Sequence, residues 1–97
     1  MHIISRKKLR DFWKENEHSE QPLDNWFRTI KRFSPQSLVE LRQTFPNADL
    51  YGECLIFNVG GNKFRLITKI FFREQTVLVR FVLTHREYDK DAWKTDC

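Results

Sequence analysis

The spacing of the apolar residues changes once along this chain, and that change does most to fix its fold class. Leu9, Phe12 and Trp13 fall at i, i+3 and i+4, one face of a helix, with Ser5 in position to cap it. Leu23, Trp26, Phe27 and Ile30 repeat that spacing behind Pro22, a residue suited to a first helical turn. Ser34-Pro35 repeats the cap-and-proline pattern ahead of Leu38, Leu41 and Phe45, and Pro46 closes the segment. All three stripes read as core. From Leu50 the period shortens. Leu50–Val59, Lys63–Arg73 and Val77–Thr84 are rich in β-formers. Gly60-Gly61-Asn62 reads as a hairpin turn, because Gly and Asn tolerate positive φ, and Gln75-Thr76 marks the next reversal. The expectation is an α+β fold: helices first, then a three-stranded antiparallel meander, with Ile3-Ile4 available as an added edge strand.

At 97 residues there is room for one domain, spanning 1–97. Forty per cent apolar residues, nine of them Phe, suffice for a single core. The longest strongly apolar run is the four residues Cys54–Phe57, far short of the roughly 18 that a membrane span needs. No basic stretch leads from Met1 into a long apolar segment, so no signal peptide is expected and the cytoplasm is the expected location. Cys54 reads as a core strand residue and Cys97 as an exposed thiol, and two cysteines are too few for a disulfide scaffold.

Charge is more informative in its placement than in its total of +4. Lys63, Arg65, Lys69, Arg73, Arg80 and Arg86 lie in one stretch opposed only by Glu74, and acids return at Glu87, Asp89, Asp91 and Asp96. Alternation turns this stretch into a face. Lys63, Arg65, Ile67, Lys69, Phe71 and Arg73 point one way, while Phe64, Leu66, Thr68, Ile70 and Phe72 point toward the helices. On the last strand Leu78, Arg80, Val82 and Thr84 share one side and Val77, Val79, Phe81 and Leu83 the other; which side joins the cationic face depends on register. A solvated one-sided sheet would look similar but would usually mix acids among the bases. A phosphate-binding surface is the expectation.

The last strand runs into Thr84-His85-Arg86-Glu87, a capping box, so a helix is expected from Thr84. His85, Tyr88 and Asp89 then share a face. His85 sits at the positive end of the helix dipole, which favours a neutral imidazole able to act as a base, and the free amides there favour a phosphate. With Arg65 to neutralise a phosphorane, these groups suit RNA phosphoryl transfer: His85 takes the 2′-OH proton, and Tyr88 orients the phosphate or protonates the leaving 5′-oxygen. Other chemistries lack their residues. Gly60-Gly61-Asn62-Lys63 does not have P-loop spacing, the three His are scattered, and no Gly-flanked Ser suggests a nucleophile elbow. No metal and no organic cofactor is expected.

Met1-His2-Ile3-Ile4-Ser5, Trp26, Phe57-Asn58-Val59-Gly60-Gly61-Asn62-Lys63-Phe64-Arg65-Leu66 and Thr84-His85-Arg86-Glu87-Tyr88-Asp89 together resemble the HigB family of type II toxin–antitoxin toxins, in the wider RelE superfamily. The resemblance runs from the start to about Lys90. It implies a RelE-like fold and a metal-independent mRNA interferase that cuts translated mRNA on the ribosome. Cleavage through the RNA 2′-OH would leave a 2′,3′-cyclic phosphate and a 5′-OH. It also implies a HigA-type antitoxin with a helix-turn-helix, operator DNA being contacted only through the complex with that antitoxin.

By position, Arg65 resembles the phosphate-binding arginine of such toxins and Tyr88 their active-site tyrosine. Asn62, Lys63 and His85 lie in the resembling blocks. Several relatives present an arginine near the final strand, and here Arg80 and the His85-Arg86 pair both qualify, so the acid and base assignments stay open. The expected set is catalytic Arg65, His85 and Tyr88, with RNA held by Asn62, Lys63, Lys69, Arg73, Arg80 and Arg86. Two other classes compete: a non-catalytic nucleic-acid-binding module or repressor on the same basic face, and a structural protein that docks an acidic partner there.

Overall fold

A computed structural model describes residues Met1–Cys97. The elements run β1 (His2–Ile4), α1 (Arg6–Glu15), α2 (Glu20–Arg32), α3 (Leu38–Thr44), β2 (Asp49–Tyr51), β3 (Cys54–Val59), β4 (Phe64–Phe71), β5 (Thr76–Thr84) and α4 (His85–Asp89), with 3₁₀ turns at Glu17–Ser19 and Ala92–Asp96. One five-stranded sheet has the order β1-β5-β4-β3-β2. Every pairing is antiparallel except that of β1 with β5. The expected α+β plan is present, and Ile3-Ile4 takes the edge position beside the last strand.

Two boundaries differ from those the sequence suggested. The cap of α3 is Ser37, whose hydroxyl accepts from the Glu40 amide at 3.3 Å, rather than Ser34. Pro35 is instead buried in the preceding loop, its carbonyl accepting from Gln75 Nε2 at 2.7 Å. The run Leu50–Val59 is two strands, folded back at Gly52, whose φ of +55° suits a residue without a side chain. The meander therefore has four strands.

Apolar helix faces and one sheet face meet in a core of 13 buried residues, including Leu9, Leu23, Trp26, Ile30, Phe57 and Leu66. Phe57 packs edge-on against Trp26 and Phe45, with ring centroids 5.4 and 5.1 Å apart. On β5 the simple alternation fails. Ile67 pairs with Phe81 and Thr68 with Val79, so Arg80 is an extra residue in a bulge. Val77, Val79 and Val82 consequently face the helices, whereas Phe81 and Leu83 face the other side.

That other side is not the open cationic face expected. Cys54, Ile56 and Ile67 are buried there beneath Trp93, with Phe81, Leu83, Tyr88 and Cys97 packed around them. Cys97 is not a free thiol. It is joined to Cys54 by a disulfide, and its carbonyl accepts from the Glu53 amide at 3.0 Å. Gly52 is required here for a second reason: a Cβ would collide with the Cys97 carbonyl. An apolar patch at the middle of the sheet demanded a cover, and the segment after α4 supplies it.

Candidate active site

The expected site residues separate along the sheet. Asn62 and Lys63 sit exposed in the β3–β4 turn, and Arg65 follows on β4. The register places Phe64 opposite Thr84 and Arg65 opposite Leu83, so this turn lies beside the start of α4. Consecutive carbonyls tie the two together: Arg65 Nη1 donates to the Asn62 carbonyl at 2.9 Å, and the His85 amide donates to the Lys63 carbonyl at 3.0 Å. Asn62, Lys63, Arg65, His85, Arg86 and Tyr88 thus share one end of the sheet.

Three of the expected cations do not join them. Lys69 is four residues further along β4, about 13 Å at strand rise, and its Nζ lies 3.7 Å from Glu53 Oε2. Arg73 lies beyond the far end of β4, past Phe71. Arg80 is held by Asp96, donating from Nε at 2.7 Å and from Nη2 at 2.9 Å. These bonds raise the pKa of Arg80 and hold the Asp96 carboxyl below its usual range. Arg80 is thus committed to the C-terminal segment, and a paired guanidinium is poorly placed to meet phosphate.

Arg65 has a different environment. It is 9% exposed, and its guanidinium lies 5.1 Å above the Tyr88 ring. Nη1 donates to the Asn62 and Phe64 carbonyls, but no carboxylate pairs with it. A buried, uncompensated guanidinium is costly to maintain, by several kcal/mol of lost hydration, and favours an incoming anion. Tyr88 in turn stacks on Trp93, with centroids 5.0 Å apart and planes 10° from parallel, and Trp93 Nε1 donates to the Tyr88 carbonyl at 2.9 Å. Guanidinium, phenol and indole form one column.

The capping box at Thr84 is complete: its hydroxyl accepts from the Glu87 amide, and Glu87 Oε1 accepts from the Thr84 amide. α4 is only five residues long, so it carries little aligned dipole. The amides of His85 and Glu87 are already engaged. The expected anion site at its start is therefore largely satisfied from within. His85 Nδ1 lies 2.9 Å from Asp89 Oδ2, which leaves Nε2 turned away from that carboxylate on a half-exposed ring. No three His, Cys, Asp or Glu side chains come together as a metal-binding group, and no helix is long and apolar enough to cross a membrane.

Sequence reasoning overlooked Trp93 and Cys97 as parts of the site. Two signals pointed to Trp93, and none to Cys97. Ile56, Ile67, Phe81 and Leu83 would have been left uncovered, and Trp93 is the one large apolar side chain after Tyr88.

The sequence model of the HigB toxin family, described as the RelE-like toxic component of a toxin-antitoxin system, matches residues 19–91. The chain is 33% identical over 92 residues to the mRNA interferase toxin HigB of Escherichia coli strain K12, covering 92% of this chain and 88% of that one. The mRNA interferase HigB of Shigella flexneri matches to the same extent. That of Escherichia coli O6:H1 is 31% identical over 93 residues, with 93% and 90% covered. Matched along nearly its whole length, and carrying the two C-terminal blocks at one end of its sheet, the chain belongs to the HigB family of RelE-like toxins.

Proposed function

We propose that this HigB toxin, an mRNA interferase and hence an endoribonuclease, cleaves RNA at the sheet end shared by Arg65, His85 and Tyr88. The observation that carries the assignment is Arg65, a buried guanidinium without a carboxylate partner. An RNA phosphate supplies the missing countercharge, and the attraction grows as negative charge builds on the phosphorane. His85 takes the 2′-OH proton through Nε2, while Asp89 holds the ring from the other side. The 2′-oxygen then bonds to phosphorus as the P–O5′ bond breaks, leaving a 2′,3′-cyclic phosphate and a 5′-OH. The Tyr88 hydroxyl supports the phosphate or protonates the leaving oxygen. Asn62, Lys63 and Arg86 hold the backbone beside the cut, and Lys69 and Arg73, which stand apart from that end of the sheet, meet RNA only further from it. Arg80 serves by fixing the C-terminal segment.

An antitoxin and mRNA are the partners of such a toxin. The resemblance in the Phe57–Leu66 and Thr84–Asp89 blocks supports finer statements: translated mRNA as the substrate, cut on the ribosome in the cytoplasm; a HigA-type antitoxin with a helix-turn-helix; and operator DNA reached only through their complex. Controlled expression of wild type beside Arg65→Ala, with primer extension of cellular mRNAs, tests the site. Growth arrest with new ends inside open reading frames in wild type, reduced about 100-fold or more in the variant, is expected. Equal cleavage by both would remove Arg65 from the reaction. Intact mRNA in cells holding folded toxin and no antitoxin would favour the non-catalytic binding module.

A further inference from the structure

Beyond the phosphate site lies a cavity that the reaction above does not use. Strand β2 begins at Asp49, opposite Ile56, so β3 continues past it through Phe57 and Asn58 without a neighbour on that side. The loop from Thr44 to Ala48 swings away there, and a cavity of about 340 Å³ opens between that loop and the β3–β4 turn. Its volume falls within the range of small-molecule sites, roughly 300–1,000 Å³. We propose that this cavity receives the base of a nucleotide next to the scissile phosphate and so sets the base preference of cleavage, a reading that rests on Arg65 as the phosphate site.

Its chemistry matches a base better than a phosphate or a peptide. No Lys, Arg, Asp or Glu lines it. Its polar residues are Asn47, Asn58, Asn62 and Thr44, beside the half-buried Phe45; the Phe57 ring is committed to the core against Trp26 and Phe45. Each carboxamide presents one acceptor and two donors in a plane, the arrangement that pairs with the edge of a base. None of these three amides is bonded within the chain, and all three residues are exposed. Single-stranded RNA is commonly read in this way, with an unstacked base bonded along its edge and an aromatic ring nearby.

The cavity also adjoins the phosphate site. Asn58 is the cross-strand partner of Arg65, and the Asn62 carbonyl accepts from its guanidinium at 2.9 Å. One strand spacing, about 4.8 Å, therefore separates the cavity wall from the strand carrying the phosphate ligand. A phosphate at Arg65 delivers a neighbouring base to the amides without crossing another element.

The test compares wild type, Asn47→Ala and Asn58→Ala as full-length proteins in a cell-free translation reaction, sequencing the 5′-OH ends of cut mRNA. Wild type is expected to favour one base beside the cut. The variants should cut with that preference reduced roughly tenfold, the discrimination carried by a good contact to a base edge. Unchanged base ratios in the variants would overturn the proposal, as would wild-type cleavage without any preference. If wild type leaves mRNA intact, the Arg65 site falls and the cavity with it, a result distinct from cleavage with unchanged ratios. Thermal unfolding of each variant checks its fold; Asn47 lies in an exposed loop, so Asn47→Ala decides the matter alone if Asn58→Ala is impaired.

Discussion

The two faces of the sheet are built by different means. On the helix side, 13 buried apolar residues from three helices, three strands and the loop residue Ala48 interlock into a continuous core. On the other side four apolar residues are buried, Cys54, Ile56, Ile67 and Trp93, under a cover formed by one short segment. Discrete links keep that cover in place: the Cys54–Cys97 disulfide, the Arg80–Asp96 pair, the Trp93 Nε1 bond to the Tyr88 carbonyl, and the Tyr88–Trp93 stack. The first face supplies bulk burial, which is tolerant of detail. The second holds Arg65 and Tyr88 in register, and a small number of contacts decides their geometry.

Adjacent residues on β4 give the strongest way to break this comparison. Leu66 and Ile67 are both fully buried, on opposite faces. Leu66→Ala should cost about 3–5 kcal/mol of stability, since the rigid helix-side core cannot collapse into the space. Ile67→Ala should cost less, about 2–3 kcal/mol, because the thin cover can settle. Activity per folded molecule should behave in the opposite way: unchanged in Leu66→Ala and lowered in Ile67→Ala, whose side chain underlies Trp93 and Tyr88. Urea unfolding and cleavage assays on the two proteins measure both quantities. Equal loss of activity in both would mean the faces are not independent.

The helix-side face was legible in the sequence because burial there follows periodicity. Leu9, Leu23, Trp26, Ile30 and Leu41 sit where the 3.6-residue spacing puts them, and the capping box at Thr84 is a local signal locally satisfied. On the site face, the two blocks carrying Asn62, Lys63, Arg65, His85, Arg86 and Tyr88 were legible, and the strand register brings them to one end of the sheet. The way β5 divides its residues between the two faces was not legible, because a bulge is a property of pairing between strands, with no mark in a single strand's alternation. The turn at Gly52 was hidden inside a run of β-formers. The disulfide joins residues 43 apart, a contact set by how the chain returns over the sheet and not by spacing.

Removing the disulfide should be the next largest effect. Closing a 43-residue loop restricts the unfolded chain, so Cys97→Ser should lower stability by about 2–4 kcal/mol. The loss belongs to the site face if cleavage falls along with it, because the Cys97 carbonyl also anchors the β2–β3 turn through Glu53. Mass spectrometry of the unreduced protein verifies the link, and a reducing agent should bring wild type to the variant's unfolding midpoint. A wild type indifferent to reductant would show that the cover is held by packing alone.

Trp93→Phe is a finer probe of the same face. Phe retains an aromatic surface for Tyr88 but cannot donate to the Tyr88 carbonyl. The expected loss is about 1 kcal/mol for a hydrogen bond at a partly buried site. Cleavage should slow through kcat and leave KM nearly unchanged, since the substitution alters the placement of Tyr88 and no contact with bound RNA. A change confined to KM would instead move Trp93 into the RNA-binding surface.

The smallest expected effect is acid sensitivity at the Arg80–Asp96 link. Hydrogen bonds from Arg80 are the main reason Asp96 titrates below its ordinary value of 3.8, with Arg80, Lys69 and Lys8 adding attraction. A carboxyl whose folded pKa is depressed stabilises the fold fully above its unfolded value and loses that contribution as pH falls through the folded value. The cover should therefore weaken below about pH 3.8 and be indifferent to pH just above it. Asp96→Asn lacks the titrating group, so its urea midpoint should lie slightly under wild type at pH 5 and converge with it toward pH 2. Because both partners are partly solvated, screening keeps the difference small, and added salt should shrink it further. Parallel pH profiles for the two proteins would mean that the ion pair orients the segment without adding to its hold, leaving the disulfide and the Tyr88–Trp93 stack to fasten the site face.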